Sequence, residues 1–159
     1  MVTVRPATHK DMPAVASLHA ASARELGRTH YDDRQVLAWA GRKDPEKYPY
    51  DEPGEHFVVA ELDGEVVGFG HLAVDDGEVR AVYVKPAAAR RGVGSALLAH
   101  LEGTARDAGL DGCYLWASLN AVPFYRQAGW DVVGADVVET TGNGVTAELA
   151  VKLMEKKFV

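Results

Sequence analysis

Apolar residues alternate in a strand-like way at the start of the chain and then change to a helical spacing. Residues 2–5 alternate in the manner of a short strand. Over residues 12–26, apolar side chains recur at helical intervals and predict an amphipathic helix. Ser22 is the one polar interruption of its apolar face. A second, shorter helix is predicted over residues 33–41, before a polar loop that is rich in proline.

The middle of the chain predicts three antiparallel strands followed by a long helix. The strands cover residues 56–61, 65–74 and 78–84. Asp63 and Gly64 are a strong signal for a tight hairpin turn between the first two strands. From Val93 the apolar spacing becomes helical, and Gly109 marks the end of that helix.

The last part of the chain predicts a short strand, a helix and a final hairpin. The strand covers residues 113–117, and Asn120 is a suitable N-cap for a helix that Gly129 ends. The hairpin strands cover residues 130–139 and 145–153. The full order is β-α-α-β-β-β-α-β-α-β-β, and the length predicts a single domain over residues 1–159.

The balance of charges and the single cysteine restrict the function and the compartment. The chain has 17 basic and 23 acidic residues and a net charge of −6, which argues against a general nucleic-acid-binding protein. One cysteine excludes an internal disulfide and suits a reducing compartment. The sequence opens without a charged-then-apolar leader, and no apolar run approaches the roughly 20 residues that span a membrane. We therefore expect a cytoplasmic protein with no membrane partner.

The segment of residues 78–98 combines a strand, a short basic loop and the start of a helix. The first turn of that helix contains Gly92 and Gly94, which have no side chains to shield their backbone N–H groups from a ligand. The helix dipole adds roughly half a positive charge there. Arg90 and Arg91 directly precede the turn. This arrangement predicts a binding site for phosphate groups.

Two other phosphate-binding loops are excluded by the residues that follow these glycines. A Walker loop requires Lys and then Ser or Thr after its glycines, whereas Ser95 and Ala96 follow Gly94. A dinucleotide-binding fingerprint requires a third glycine at the position that Leu97 occupies.

The glycine loop resembles the acetyl-CoA motif of the GNAT N-acetyltransferase superfamily, Gln/Arg-x-x-Gly-x-Gly/Ala after a strand. Ala89 occupies the Gln/Arg position, and we expect this departure to weaken CoA binding rather than abolish it. Downstream, residues 120–130 resemble the family's asparagine followed by a helix that carries Phe-Tyr-x-x-x-Gly-Phe, with Trp130 in place of the last phenylalanine. Two elements in the right order and spacing identify the chain as a member of this superfamily.

The resemblance implies a fold, a cosubstrate and a set of binding residues. The fold is α/β, with a GNAT-type mixed, mostly antiparallel central sheet flanked by helices. The cosubstrate is acetyl-CoA, with no metal, and its pantetheine arm would pair with the main chain of one strand. Arg80 and Lys85 add positive charge near the phosphate site. The implied cofactor-binding residues are Val82, Val84, Arg90, Arg91, Gly92, Val93, Gly94, Ser95 and Asn120.

The implied reaction is acetyl transfer to a primary amine by direct attack in a ternary complex. Tyr125 matches the family's thiolate-protonating tyrosine, because a phenol with a pKa near 10 can donate to a leaving thiolate near 8.5. Its alternative role is packing of its helix against the sheet. Glu78 matches the position of a glutamate base, and strand alternation predicts that it shares a face with Val82 and Val84. A solvated strand-end glutamate, with ordered water as the base, is the alternative.

The acceptor is not specified by these motifs. Residues 28–55, where the resemblance places the acceptor wall, combine aromatic and acidic side chains that suit a cationic amine. We expect a small-molecule amine, with a protein N terminus or lysine as the alternative acceptor. A non-catalytic acyl-CoA-binding domain is the alternative from another class, and a homodimer stays open. The six histidines occur singly, without the spacing of metal ligands.

Overall fold

A computed structural model, which describes residues 1–158, shows a central sheet with helices on both faces. The strands are β1 (Val2–Pro6), β2 (Glu55–Leu62), β3 (Glu65–Ala73), β4 (Glu78–Val84), β5 (Gly112–Ser118), β6 (Asp131–Gly142) and β7 (Val145–Lys157). The helices are α1 (Met12–Gly27), α2 (Asp33–Trp39), α3 (Val93–Asp107) and α4 (Val122–Gln127). The predicted order of helices and strands is confirmed.

The sheet has the strand order β1-β2-β3-β4-β5-β7-β6. Within residues 1–158, every neighbouring pair of strands is antiparallel except β4 and β5, which are parallel. The predicted mixed, mostly antiparallel α/β sheet is therefore confirmed. Asp63 and Gly64 both have positive φ angles, of 54° and 80°, as the predicted tight turn between β2 and β3 requires.

The alternation of β2 divides the interior into two layers. Val58 and Ala60 belong to the cluster that packs against α3, whereas Phe57 and Val59 belong to the cluster that packs against α1. Because all four are buried, the strand has an apolar side chain on each face. The sheet therefore separates α1 from α3, and a ligand between β4 and β5 can be reached from both layers.

Two glycines of β3 allow α3 to approach the sheet closely. A Cβ atom at Gly68 would lie 3.0 Å from side-chain atoms of Leu97 and of Val93 in α3. A Cβ atom at Gly70 would lie 3.1 Å from Leu101. Small residues at these points fix the position of α3 and therefore the position of its N terminus beside β4.

The strands β4 and β5 separate soon after they meet. Their only pairing within residues 1–158 joins Glu78 to Tyr114, and the Tyr114 N–H donates to the Gly77 carbonyl at 3.0 Å. Beyond this point the two strands diverge towards the N terminus of α3. The gap between them opens the middle of the sheet.

A β-bulge at Arg80 corrects one prediction about β4. His71 of β3 pairs with Ala81, but the next residue, Leu72, pairs with Val79, so Arg80 is an extra residue in β4. Val79 consequently packs on the same side as Val82. The predicted shared face of Glu78, Val82 and Val84 is therefore wrong, because a bulge reverses the alternation of every residue before it.

Candidate active site

A cavity of about 530 Å³ occupies the gap between β4 and β5. The N terminus of α3 and the helix α4 form one side of it, and α1 with the end of α2 forms the other. The cavity brings together all of the predicted cofactor-binding residues except Arg91, namely Val82, Val84, Arg90, Gly92, Val93, Gly94, Ser95 and Asn120. Arg91 lines a separate, smaller cavity with Lys85.

The glycine turn presents open backbone to this cavity. Gly92 precedes the first residue of α3 with a φ of 80°, and this N-cap glycine has no side chain to cap the N–H groups of the first turn. A Cβ atom at Gly94 would lie 3.2 Å from the ring of Phe124, so the turn packs directly on α4. Arg90 has a φ of 64°, an uncommon value for a residue with a side chain. The chain thus adopts a special conformation where the sequence predicts phosphate binding.

The positive charge at this turn comes from fewer residues than the sequence suggests. Arg80 is paired with carboxylates, and the Lys85 ammonium lies 2.6 Å from Glu65. Neither Arg90 nor Arg91 has a carboxylate oxygen within 4.0 Å in the part of the chain that the structure describes. These two guanidinium groups are therefore the ones available to an anion near the glycines.

Tyr125 lies on α4 and lines the cavity. Its side chain is buried, with edge-on contacts to Phe124 and to Trp130 at ring-centroid distances of 5.0 and 6.0 Å. Burial raises the pKa of the Tyr125 phenol above its ordinary value, and the nearby Tyr83 adds to the shift. The phenol consequently stays protonated at neutral pH, as a proton donor must.

Tyr83 is a second phenol in the cavity wall, and the sequence predicts only that it lies in a strand. It lies on the α1 side of β4, with its ring 5.4 Å from that of Phe69. Burial raises its pKa to about 12. The cavity therefore offers two protonated phenols, which approach it from different layers.

Asn120 is not the N-cap that the sequence predicts. It lies inside a short 3-10 turn, Leu119–Ala121, and Ala121 precedes the first residue of α4. The residue lines the cavity, and its Oδ1 atom is buried with no hydrogen-bond partner among residues 1–158. Pro123 in the first turn and Gly129 after the helix, with a φ of 93°, are where the sequence predicts them.

Glu78 lies at the closed end of the gap and does not line the cavity. Its carboxylate accepts a hydrogen bond from Arg80 Nε at 3.3 Å. Arg80 also donates to Asp76 at 2.9 Å and lies 3.6 Å from Glu55, so one guanidinium is shared by three carboxylates. The structure thus brings Tyr125 and the cofactor-binding turn together and leaves Glu78 at the edge of the site.

The far wall of the cavity is shared between α1 and residues 28–55. The helix contributes Ser22, Glu25 and Leu26, and the later range contributes Thr29 and Trp39. Tyr48 and Tyr50 belong to the range 28–55 that the resemblance assigns to the acceptor wall, but they pack in the cluster beneath α1. The polar Ser22 in an otherwise apolar stripe was the one signal that this helix face meets a cavity.

Tyr31 joins the loop after α1 to the other side of the site. Its buried hydroxyl donates to the Ala150 carbonyl of β7 at 2.7 Å and accepts from the Leu119 N–H at 2.9 Å. Leu119 opens the 3-10 turn that contains Asn120. A single side chain thus ties the α1–α2 connection to the turn on the cofactor side.

His19 of α1 packs behind the cavity wall and gives the fold a pH dependence. Its ring lies 4.4 Å from that of Tyr83, and Nδ1 lies 2.9 Å from the Tyr48 hydroxyl. Burial, with a smaller effect of Lys43, lowers its pKa to about 3. Above about pH 6.5 both the folded and unfolded states hold a neutral imidazole, but below it only the unfolded state takes up the proton.

We therefore expect the free energy of unfolding to fall as the pH drops from about 6.5 towards 3, by about 1–2 kcal/mol at pH 5 from this residue. Urea unfolding at a series of pH values measures the effect. His19→Asn should flatten the curve between pH 6.5 and 5, and His30→Asn, which removes an exposed imidazole, is the matched control. An unaltered slope in the His19 variant would contradict this assignment.

Residues 1–158 contain no helix that is long and apolar enough to cross a membrane. Over the same residues, no three His, Cys, Asp or Glu side chains are grouped so as to hold a metal ion.

Comparison with known proteins gives a consistent picture. The model of the acetyltransferase (GNAT) family matches residues 16–130. The chain is similar to an IAA acetyltransferase from Azospirillum brasilense, with 35% identity over 86 residues that cover 50% of this chain and 56% of that protein. It is similar in structure to a GCN5-related N-acetyltransferase from Rhodopseudomonas palustris, with a TM-score of 0.88 and 30% identity over 98% of this chain and 95% of that chain. The PaiA N-acetyltransferase of Thermoplasma acidophilum, in complex with coenzyme A, has a similar fold, with a TM-score of 0.74, 21% identity and 99% coverage of both chains.

Proposed function

The chain belongs to the GNAT acetyltransferase family and is an acetyltransferase, and we propose that it moves the acetyl group of acetyl-CoA to a primary amine in a ternary complex. One observation carries this proposal. A single cavity joins the glycine-built N terminus of α3 to the buried phenol of Tyr125. The cavity therefore offers an anion site at one end and a proton donor further in.

The glycine turn would hold the pyrophosphate of acetyl-CoA. Backbone N–H groups from Gly92 to Ser95 have no side-chain cap, and the dipole of a 15-residue helix favours an anion at its N terminus. Arg90 and Arg91 add positive charge next to the turn. Coenzyme A is present in the PaiA complex, whose fold this chain shares.

The pantetheine arm would lie along the open edge of β4. The Lys85 N–H donates to Val67 of β3 at 2.7 Å, so alternation turns the polar groups of Val84 and Val82 away from β3 and towards the gap. Among residues 1–158, no strand pairs with the gap side of β4 beyond Glu78. An extended ligand with amide groups can pair there as an additional strand would.

Asn120 supports the same placement of the pantetheine arm. Its buried Oδ1 atom has no hydrogen-bond donor among residues 1–158, which lowers the stability of the protein without CoA. An unpaired buried group costs about 1–3 kcal/mol, and an amide N–H of the pantetheine arm would supply the missing donor. We therefore propose that the Asn120 side chain accepts a hydrogen bond from the cofactor rather than capping α4.

Asn120→Ala is accordingly expected to leave the melting temperature of the free protein unchanged or higher, and to weaken CoA binding about tenfold or more. Thermal unfolding and isothermal titration with CoA measure the two effects. Asn143→Ala is the matched control, since Asn143 lies outside the cavity and donates to the Leu37 carbonyl at 2.8 Å. That variant should lose stability and keep its CoA affinity; the reverse pattern in the two variants would contradict the proposal.

The transfer itself needs two proton movements. The amine nitrogen attacks the thioester carbonyl carbon, the carbon–sulfur bond breaks, and the thiolate takes a proton from the Tyr125 hydroxyl. The proton lost by the amine goes either to Glu78 or through ordered water to solvent. Arg80 holds the Glu78 carboxylate at the edge of the cavity, so a direct transfer requires the acceptor to reach the closed end of the gap.

We propose a small-molecule amine as the acceptor, with a protein N terminus or lysine as the alternative. The far wall comes from the end of α1, from Thr29 and from the end of α2, and the cavity volume of about 530 Å³ lies within the usual range for small-molecule sites. A thiol-release assay with acetyl-CoA, run over a set of small amines and lysine-containing peptides, tests the proposal. Thiol release that depends on an added amine supports the enzyme, and tight CoA binding without turnover on any amine would instead identify a non-catalytic acyl-CoA-binding domain.

A further inference from the structure

The acceptor side of the cavity carries a carboxylate that the reaction itself does not require. Glu25 lies on α1 one helical turn after Ser22, about 4.5 Å further along the axis. Ser22 is 2% exposed, whereas Glu25 is exposed, so this helix face runs from the interior of the site to its rim. Among the residues that line the cavity, Glu25 is the only carboxylate in the part of the chain that the structure describes.

Glu25 is also free to bind a ligand. No Lys, Arg or His nitrogen lies within 4.0 Å of its carboxylate in residues 1–158, although Arg28 follows it on the same helix. A carboxylate of this kind at the rim of a cavity attracts cations from solution and loses little when it pairs with one.

The two arginines that line the cavity within residues 1–158 differ in how far their charge is neutralised. Positive charge is concentrated at the cofactor end, where Arg90 stands beside the glycine turn. Arg80 is the other cation of the lining within residues 1–158, and it lies by the closed end of the gap, surrounded by Glu55, Asp76 and Glu78. Three carboxylates around one guanidinium leave no excess of positive charge there, so Arg80 does not repel a cationic acceptor.

Two indole rings flank the same space. Trp39 at the end of α2 and Trp116 on β5 both line the cavity, and Trp116 is 42% exposed. The faces of aromatic rings attract ammonium groups and also pack against methylene chains. The combination of a rim carboxylate and indole rings suits a short carbon chain that carries a positive charge.

The reacting amine cannot be the group that Glu25 holds. Attack on the thioester takes place next to the proton donor that the leaving thiolate needs, and that donor, Tyr125, is buried. Glu25 is exposed at the rim, whereas Tyr125 lies in the buried part of the cavity. We propose that Glu25 binds a second positive charge on the acceptor, and that the acceptor class is an aliphatic diamine whose far ammonium pairs with Glu25.

This inference rests on the proposed acetyl transfer to a small amine. The test compares butane-1,4-diamine with butylamine, which has the same chain and one amine. The parent enzyme should show a kcat/KM for the diamine about tenfold or more above that for the monoamine, mainly through KM. A diamine has a reactive nitrogen at each end, so a mere doubling is statistical and would count against recognition. The KM for the diamine should also rise with added salt, because ions screen an exposed charge pair.

Glu25→Gln should lower kcat/KM for the diamine and leave kcat/KM for the monoamine unchanged, so that the two values approach each other. Glu25→Asp, which keeps the charge, should restore part of the preference for the diamine. Glu139→Gln is the matched control, since it removes the same charge from an exposed position outside the cavity.

Equal losses of kcat/KM on both substrates in Glu25→Gln would overturn the inference, because Glu25 would then act on the reacting amine or on the fold. A parent enzyme that acetylates both amines without preference would overturn it and leave the proposed function standing. Absence of turnover on every amine, with CoA still bound, would overturn both.

Discussion

Tyr125→Phe is expected to lower kcat on a cognate amine by about 10²–10⁴-fold, the range for loss of a positioned proton donor. The leaving thiolate of CoA has an ordinary thiol basicity, near a pKa of 8.5, and burial keeps the Tyr125 phenol protonated at neutral pH. The ring contacts to Phe124 and Trp130 do not involve the hydroxyl, so the variant should fold and bind CoA as the parent does. Because the proton moves only as the carbon–sulfur bond breaks, the loss should appear in kcat.

Tyr83→Phe is the informative comparison, since Tyr83 is the other phenol that lines the cavity. Single-turnover measurements with saturating acetyl-CoA isolate the chemical step, and titration with CoA checks that the cofactor still binds. A loss below about threefold in Tyr125→Phe, with chemistry rate-limiting, would remove the general-acid role. An equal loss in both variants would mean that neither phenol can be singled out as the donor.

Gly94→Asp is expected to weaken CoA binding by about 100-fold or more, which corresponds to roughly 3 kcal/mol. The substitution places a negative charge at the N terminus of α3, where the pyrophosphate would lie against bare N–H groups. It also places a Cβ atom 3.2 Å from the Phe124 ring, so the substitution adds a steric contact to the new charge. Isothermal titration of the purified variant with CoA measures the loss.

Two further glycine variants distinguish the effect of the added charge on CoA binding from effects on folding. Gly94→Ala adds the same Cβ contact without the charge and should cost far less CoA affinity than the aspartate. Gly103→Asp places the same charge in the same helix, at a position where a Cβ atom would meet nothing within 4 Å. That variant should bind CoA as the parent does. An unchanged affinity in a folded Gly94→Asp protein would move the phosphate site away from this turn.

Local signals in the sequence were sufficient for the order of elements and for the glycine turn before α3. Tight turns such as Asp63 with Gly64 follow from the positive φ angles that these residues adopt easily. The glycine turn before α3 likewise depends on a few adjacent residues. The two arginines, the two glycines and the start of the helix all lie within residues 90–95. Hairpins then bring neighbouring strands together without any long-range information.

The parts that the sequence did not predict depend on contacts between distant segments. The bulge at Arg80 arises from how β4 pairs with β3, and one extra residue there changed the face on which Glu78 lies. Asn120 is a good capping residue by type, but the chain enters α4 through a 3-10 turn and leaves its Oδ1 atom for the cavity. Glu25 lay on a helix whose partner surfaces the sequence does not specify, and only the Ser22 interruption pointed to that face.

The hydroxyl of Tyr31 couples the acceptor side of the site to the cofactor side through its hydrogen bonds. It holds the connection between α1 and α2 and, through the Leu119 N–H, the turn that carries Asn120. An acceptor that displaces this connection must therefore release a hydrogen bond on the cofactor side as well. Linkage is reciprocal, so whatever factor such an acceptor imposes on CoA affinity, CoA imposes on the acceptor. Evolution of a new acceptor preference in this loop thus carries a change in cofactor affinity with it, unless Tyr31 keeps both of its partners.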